Sequence, residues 1–160
     1  TSAMPQEGRT TFVIALAYYL LSLGHKVIMI DADFLRPTLS RNYGGHKRLG
    51  LTDVLAGKAG LKDAITNDKH GMAILGAGME LLSSPDFLQS ANLARIMTTL
   101  KQEYRFVLID SGPLMAHSEA TALAAQAEGI IVVAEWLKTS EKNLFNLFAN
   151  LEMINTQVLG

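Results

Sequence analysis

The chain has 160 residues, the length of about one domain. It is 49% hydrophobic and 18% charged, against a usual charged share of about 25%, so it encodes a well-buried globular core and not a disordered chain. Fourteen basic and fifteen acidic residues give a net charge of −1. This balance excludes a positive electrostatic field over the whole protein that would attract nucleic acid. The absence of cysteine excludes disulfides, zinc ribbons, iron–sulfur clusters and thiol catalysis.

Residues 12–21 form the longest unbroken apolar run of the sequence. These ten residues are too few to span a bilayer, which takes about 20, and no basic segment precedes them as in a signal peptide. The composition therefore predicts a soluble, cytoplasmic domain.

The start of the chain predicts a loop, a helix and a strand in close succession. Residues 1–8 are polar and contain Pro5 and Gly8, which favour a loop. Residues 9–23 are apolar almost all round and are followed by Gly24, a pattern that predicts a buried helix. Residues 27–30 are a wholly apolar run, typical of a strand covered on both faces, and the run ends in Asp31-Ala32-Asp33.

The middle of the chain predicts shorter elements. Residues 34–50 predict irregular structure. Ser84-Pro85-Asp86 predicts a helix start, because serine caps helices and proline suits the first helical position. The other predicted elements are short helices at 51–56 and 61–65, a strand at 72–75 and an amphipathic helix at 91–104.

The last third alternates strands and helices. The predicted elements are a buried strand at 105–109 ending in Asp110, a helix at 118–127, a strand at 129–134, a helix capped by Thr139 and Ser140 that runs to about 154, and the start of a strand at 157–159. Such alternation predicts an α/β fold with a parallel sheet. The chain opens on a loop-to-helix junction and closes at a strand start, so we expect one domain over residues 1–160, trimmed at both ends.

Residues 3–10 (AMPQEGRT) have the spacing of a degenerate phosphate-binding loop, G-x-x-x-x-G-K-[ST]. Gly8 permits close approach of the backbone to an anion, the helix start directs partial positive charge at it, and Thr10 offers a hydroxyl to Mg²⁺. Ala3 replaces the first glycine and Arg9 replaces the lysine. By itself this segment is more typical of an ordinary helix start.

Acidic residues at two strand ends supply the second signal. Asp31 and Asp33 follow one apolar strand and Asp110 follows another. Each alone is typical of a strand-terminating turn. Because ligands of parallel sheets bind at the carboxyl ends of the strands, the three acids and the loop together predict a magnesium–nucleotide site.

These segments resemble the bacterial tyrosine kinase family, the cytoplasmic P-loop domains of polysaccharide co-polymerases that control capsule and exopolysaccharide export. The similar segments cover essentially the whole chain and include TSAMPQEGRTT at 1–11, VIMIDADFLRP at 27–37, GLTDVLAG at 50–57, SPDFL at 84–88 and FVLIDSGPLMAHSEA at 106–120. The D-A-D-x-x-R-P element is the most specific of them. The resemblance implies a P-loop NTPase-like, three-layer α/β/α fold with a mainly parallel sheet that lacks the strand before the phosphate loop.

The resemblance also implies roles for individual residues. ATP or ADP would be bound by Pro5, Gln6, Glu7, Gly8, Arg9, Thr10 and Thr11, with the backbone of residues 7–11 around the β-phosphate. Mg²⁺ would be held by Thr10, Asp31 and Asp110, the last through water. Asp31 and Asp33 match the second acidic motif, which holds the metal and accepts the tyrosine proton. The candidate catalytic residues are thus Arg9, Asp31, Asp33 and Asp110.

In that family ATP phosphorylates tyrosines on a neighbouring protomer's C-terminal tail, and phosphorylation loosens a ring-shaped oligomer. The resemblance therefore implies three partners: further copies of this chain in a ring-type homo-oligomer, the tyrosine-containing tail of a neighbour, and a membrane-embedded co-polymerase segment or activator. It implies a cytoplasmic domain attached to the inner membrane through a segment or partner outside this chain, and no nucleic-acid partner.

Three interpretations of the function stay open. The first is an ATP-binding tyrosine-kinase-like domain in polysaccharide synthesis and export. The second is a pseudo-kinase that binds nucleotide and regulates assembly without phosphotransfer, because a guanidinium at Arg9 is not a conservative replacement for lysine and the tyrosines (Tyr18, Tyr19, Tyr43 and Tyr104) form no exposed cluster in the pattern. The third, a partition or division-site positioning ATPase of the ParA/MinD type, is opposed by Met4, where those proteins carry a second lysine.

Overall fold

A computed structural model describes residues 1–43, 48–79, 91–114, 118–154 and 156–160. In chain order its elements are α1 Arg9–Ser22, β1 Val27–Ala32, α2 Thr38–Asn42, α3 Leu51–Leu55, α4 Leu61–Ala64, β2 Ile65–Asn67, β3 Ala73–Leu75, α5 Ala91–Glu103, β4 Phe106–Ser111, α6 Ser118–Ala124 and α7 Glu141–Ile154. None of the helices in these ranges is long and apolar enough to cross a membrane. The helix start predicted at Ser84-Pro85-Asp86 lies outside the described residues.

Four strands form one mainly parallel sheet in the order β2-β3-β1-β4. β1 runs parallel to both β3 and β4, whereas β2 pairs antiparallel with β3. All six residues of β1 are buried, as predicted from its unbroken apolar run. The sequence pattern predicts neither β2 nor α2, because each is too short to show a period of its own.

Alternate residues of β1 pack into two separate apolar clusters, one on each face of the sheet. Ile28 and Ile30 pack with α3 and α5, whereas Val27 and Met29 pack with α1 and α2. Successive side chains of a strand point to opposite faces, so one six-residue strand supplies both layers. The result is the predicted three-layer α/β/α arrangement, with the carboxyl ends of β1 and β4 side by side.

Helix α1 is less buried than its composition predicts. Only Arg9 and Ala17 are buried, and Tyr19 is 61% exposed. The prediction of a helix buried all round is therefore wrong, because a helix lying on a sheet covers one face only. Gly24, with φ of +83°, follows the helix in the left-handed conformation, as expected of a helix terminator.

Residues 129–134 do not form the strand that their apolar run predicts. They make only isolated parallel bridges, Ser2 with Val133 and Ile130 with Val158. Their backbone hydrogen bonds run to residues 157–160 on one side and to Thr1 on the other, and these contacts are too short for a continuous ladder. A cleft of about 550 Å³ lies between residues 129–133 and β4. Ser2 accepts a hydrogen bond from Leu114 N–H at 3.1 Å, which ties the beginning of the chain to the segment after β4.

Gly50, just before α3, packs closely against the backbone of Gly76 and Gly78. A Cβ on Gly50 would lie 2.3 Å from Gly78 N and 2.4 Å from Gly76 O, so backbone and not a flexible side chain would have to move. We expect Gly50→Ala to lower the free energy of unfolding by about 2 kcal/mol in chemical denaturation. Gly57→Ala is the control: its Cβ would meet open space, and its φ of +71° alone should cost about 1 kcal/mol. Equal losses of unfolding free energy in the two variants would contradict the close packing of Gly50 against Gly76 and Gly78.

Candidate functional site

Two predicted site residues face each other across neighbouring strands. Asp31 of β1 is the register partner of Asp110 of β4, and both carboxyls are buried, 0% and 2% exposed. Asp33 follows β1 directly and is 7% exposed. Parallel pairing thus brings the three predicted acids to one edge of the sheet, next to the loop that enters α1.

The loop before α1 has the curled backbone of an anion cradle. Gln6 and Gly8 are left-handed, with φ of 65° and 87°, and successive amides around such residues form a concave nest. No side chain caps the N-terminus of α1 at Gly8. The first amides of a helix need an acceptor from outside the helix, so this junction offers backbone donors to an anion.

The side chain of Glu7 fixes the shape of this loop. Glu7 is 5% exposed; its Oε2 accepts the Met4 amide hydrogen at 2.7 Å and its Oε1 accepts the Thr139 hydroxyl. Sequence analysis assigns Glu7 a backbone contact with phosphate and misses this structural role. Because Thr139 lies 132 residues away, no local pattern could have shown it.

Thr10 and Asp110 form a pair that suits a divalent cation. The Thr10 hydroxyl donates to Asp110 Oδ2 at 2.6 Å, while Asp110 Oδ1 is buried and has no hydrogen-bond partner among the residues that the structure describes. Burial raises the pKa of Asp110, although the Thr10 hydrogen bond and the nearby Arg9 charge offset part of the rise. Hydroxyl and carboxylate oxygens are ligands that Mg²⁺ prefers, and the residues present therefore fit this ion.

Among the described residues, no group of three or more His, Cys, Asp or Glu side chains is arranged to hold a metal. Mg²⁺ is usually held by one or two carboxylates together with waters and substrate phosphates.

Asp31 is tied to α2 through Ser40. Its Oδ2 accepts both the Ser40 amide and the Ser40 hydroxyl at 2.7 Å, and its Oδ1 accepts the Asp33 amide at 3.2 Å. Burial raises the pKa of Asp31 to about 6, and the nearby Asp110 charge adds to the rise. Asp31 therefore positions α2 and the turn after β1, and its predicted contact with Mg²⁺ stays a prediction.

Arg9 is buried and points into the protein. Its guanidinium forms a 3.1 Å ion pair with Asp33 and also donates to Ser2 and to the Met4 carbonyl. The cation that the motif assigns to phosphate is thus paired with a predicted catalytic acid. Of the remaining predicted loop residues, Pro5 is half-buried, and Thr11 lies exposed in the first turn of α1.

Residues 7–159 match the family model AAA_31, described as an AAA domain. The succinoglycan biosynthesis transport protein ExoP of Rhizobium meliloti is 31% identical over 99% of this chain, and the tyrosine-protein kinase YwqD of Bacillus subtilis is 29% identical over all of it. The chain spans 21% of the length of ExoP and 68% of that of YwqD.

Solved structures share the fold. The VpsO kinase domain matches with a TM-score of 0.92 and 27% identity, covering 99% of this chain and 78% of that one. The septum site-determining protein MinD of Pyrococcus horikoshii, complexed with Mg-ADP, matches with a TM-score of 0.79 and 26% identity, covering 98% and 65%. These matches confirm the P-loop NTPase-like fold and the resemblance to the bacterial tyrosine kinases.

Proposed function

The chain belongs to the AAA domain family AAA_31, and on this premise we propose that it is an ATP-binding, tyrosine-kinase-like domain acting in exopolysaccharide synthesis and export. The names of its relatives support this proposal, since they include a tyrosine-protein kinase and a succinoglycan biosynthesis transport protein. The observation that carries it is the Thr10–Asp110 pair, whose buried carboxylate oxygen lacks a partner at the start of α1.

In this proposal each part of the site has a separate task. The backbone of residues 5–11 binds the phosphates of ATP or ADP through the amides of the curled loop and of the first turn of α1. Thr10, Asp110 and Asp31 would hold Mg²⁺. When bound, the ion would neutralise part of the phosphate charge. Asp33 accepts the proton of the attacking tyrosine hydroxyl.

The proposed partners are those that the resemblance to the bacterial tyrosine kinases implies. The tyrosine that accepts phosphate is supplied by the tail of a neighbouring protomer in a ring-type homo-oligomer. A membrane-embedded co-polymerase segment or activator holds the domain at the cytoplasmic face of the inner membrane. Nucleic acid is not a proposed partner, in keeping with the net charge of −1.

A pseudo-kinase is the second candidate, and one observation favours it. Arg9 is engaged with Asp33, Ser2 and Met4, so the loop cation is not directed towards the phosphate position. Backbone amides and Mg²⁺ can bind nucleotide without it. Such a protein would change its assembly state with nucleotide and transfer no phosphoryl group.

Phosphotransfer to a tyrosine-rich tail peptide supplied in trans, followed by phosphotyrosine detection, separates the two candidates. We expect phosphotyrosine with wild-type protein, a loss with Asp33→Asn, and up to about 100-fold faster transfer with Arg9→Lys, the effect of about 3 kcal/mol in the transition state. Nucleotide-dependent assembly without phosphotyrosine would favour the pseudo-kinase. Binding of Mg-ATP no tighter than about 1 mM would contradict both.

A further inference from the structure

The guanidinium of Arg9 bridges three segments of the chain. Nη1 donates to Ser2 Oγ at 2.6 Å and to the Met4 carbonyl at 3.3 Å, while Nη2 donates to Asp33 Oδ2 at 3.1 Å. The side chains of Arg9 and Asp33 are each only 9% exposed. The ion pair therefore joins the phosphate-binding loop to the end of β1 within the protein interior.

Asp33 is fully engaged by this arrangement. Its Oδ2 accepts Arg9, and its Oδ1 accepts the Arg36 amide at 2.9 Å. Both carboxylate oxygens thus accept hydrogen bonds, and the negative charge is paired with the Arg9 guanidinium. In this state Asp33 is poorly placed to accept a proton from a substrate hydroxyl.

Arg9 retains capacity for another acceptor. Its Nε is buried and has no hydrogen-bond partner within the described part of the chain. Arg9 is also the first residue of α1 and directly follows Gly8. Phosphate would bind at this junction, to the amides of the curled loop and of the helix start. A planar guanidinium pairs with phosphate through two parallel hydrogen bonds, so a polyphosphate at this junction would compete with Asp33 for it.

We propose that Arg9 is a partner-exchange residue: it holds Asp33 when the site lacks nucleotide, and it moves to the phosphate oxygens when nucleotide binds, which releases Asp33. This inference rests on the proposed function, because it requires a nucleotide at the loop. Because arginine stands in place of the lysine, Asp33 would be free to accept a proton only when nucleotide occupies the loop.

A double-mutant cycle on nucleotide affinity tests the exchange. Mg-ADP affinity is measured by calorimetry, at fixed ionic strength, for wild type, Asp33→Asn, Arg9→Met and the double variant. Repulsion between Asp33 and the phosphates acts in both backgrounds and cancels in the cycle. If binding breaks the ion pair, Asp33→Asn should tighten binding about tenfold more in the Arg9 background than in the Arg9→Met background, a coupling of about 1.4 kcal/mol.

The outcomes separate this inference from the function on which it rests. Equal effects of Asp33→Asn in the two backgrounds would overturn the exchange while leaving nucleotide binding intact. Absence of Mg-ADP binding in all four proteins would overturn the proposed function itself. If Arg9→Met binds too weakly to measure, Arg9→Gln replaces it, and the same tenfold difference between backgrounds is expected because a neutral amide cannot form the ion pair with Asp33.

Discussion

Asp110→Asn should reduce the affinity for Mg-ADP about 100-fold while changing Mg²⁺-free ADP binding less than about threefold. Asp110 Oδ1 is the buried carboxylate oxygen without a partner, and Oδ2 already accepts the Thr10 hydroxyl. Asparagine keeps the shape of the side chain but removes the charge that a divalent cation requires. Calorimetric titration with ADP in the presence of Mg²⁺ or of EDTA measures the effect.

Asp53→Asn is the matched control for this variant. Asp53 is also 2% exposed, but its Oδ2 accepts the Gly50 and Met79 amides and so holds the start of α3. We expect Asp53→Asn to lower stability and to leave the Mg²⁺ dependence of ADP binding unchanged. Mg²⁺ dependence that persists in Asp110→Asn would contradict the assignment of Asp110 to the ion.

The second large effect is expected at Asp31, in metal-free and nucleotide-free protein. Burial raises the pKa of Asp31 in the folded state to about 6, from an ordinary value of 3.8. A carboxyl with a raised folded-state pKa destabilises the fold only when it is ionised. Ionised Asp31 therefore takes nothing from the free energy of unfolding below about pH 4. Its destabilising effect grows as the pH rises towards 6 and is constant above that, at about 3 kcal/mol.

Asp31→Asn removes this titration. The free energy of unfolding of Asp31→Asn, relative to wild type, should thus rise by about 3 kcal/mol between pH 4 and pH 7 in EDTA. Urea denaturation at a series of pH values measures the difference. Ser40→Ala is the control, because it removes one hydrogen bond to Asp31 and keeps the carboxylate, so the pH dependence should remain. A difference that stays flat with pH for Asp31→Asn would show that its charge is compensated.

Long apolar runs and strand-end acids made the central part of the fold predictable from sequence. The runs that became β1 and β4 predict buried strands: β1 is buried throughout, whereas residues 106–109 of β4 are only half-buried. Their terminal acids, Asp31 and Asp110, are register partners. The spacing around Gly8 likewise predicted the loop that enters α1. Each of these features is local in sequence, and each was confirmed as structure.

Features that depend on distant partners could not be predicted. Residues 129–134 have the composition of a strand, but whether they form one depends on the segments they pair with, which here give only isolated bridges to Ser2 and Val158. The exposure of Tyr19 depends on what covers the outer face of α1. Pairing of Arg9 with Asp33 joins residues 24 apart, and the motif alone assigns both side chains to the nucleotide.

Native mass spectrometry of the purified protein, with Mg²⁺ and ADP added at equimolar concentration, tests the central claim most directly. That claim is that the loop before α1 and the acids of β1 and β4 form one site for a magnesium-bound nucleotide. We predict one ADP and one Mg²⁺ retained per chain for wild type, and no retained Mg²⁺ for Asp110→Asn. A wild-type spectrum without bound nucleotide, together with a calorimetric Kd for Mg-ADP weaker than about 1 mM, would contradict it.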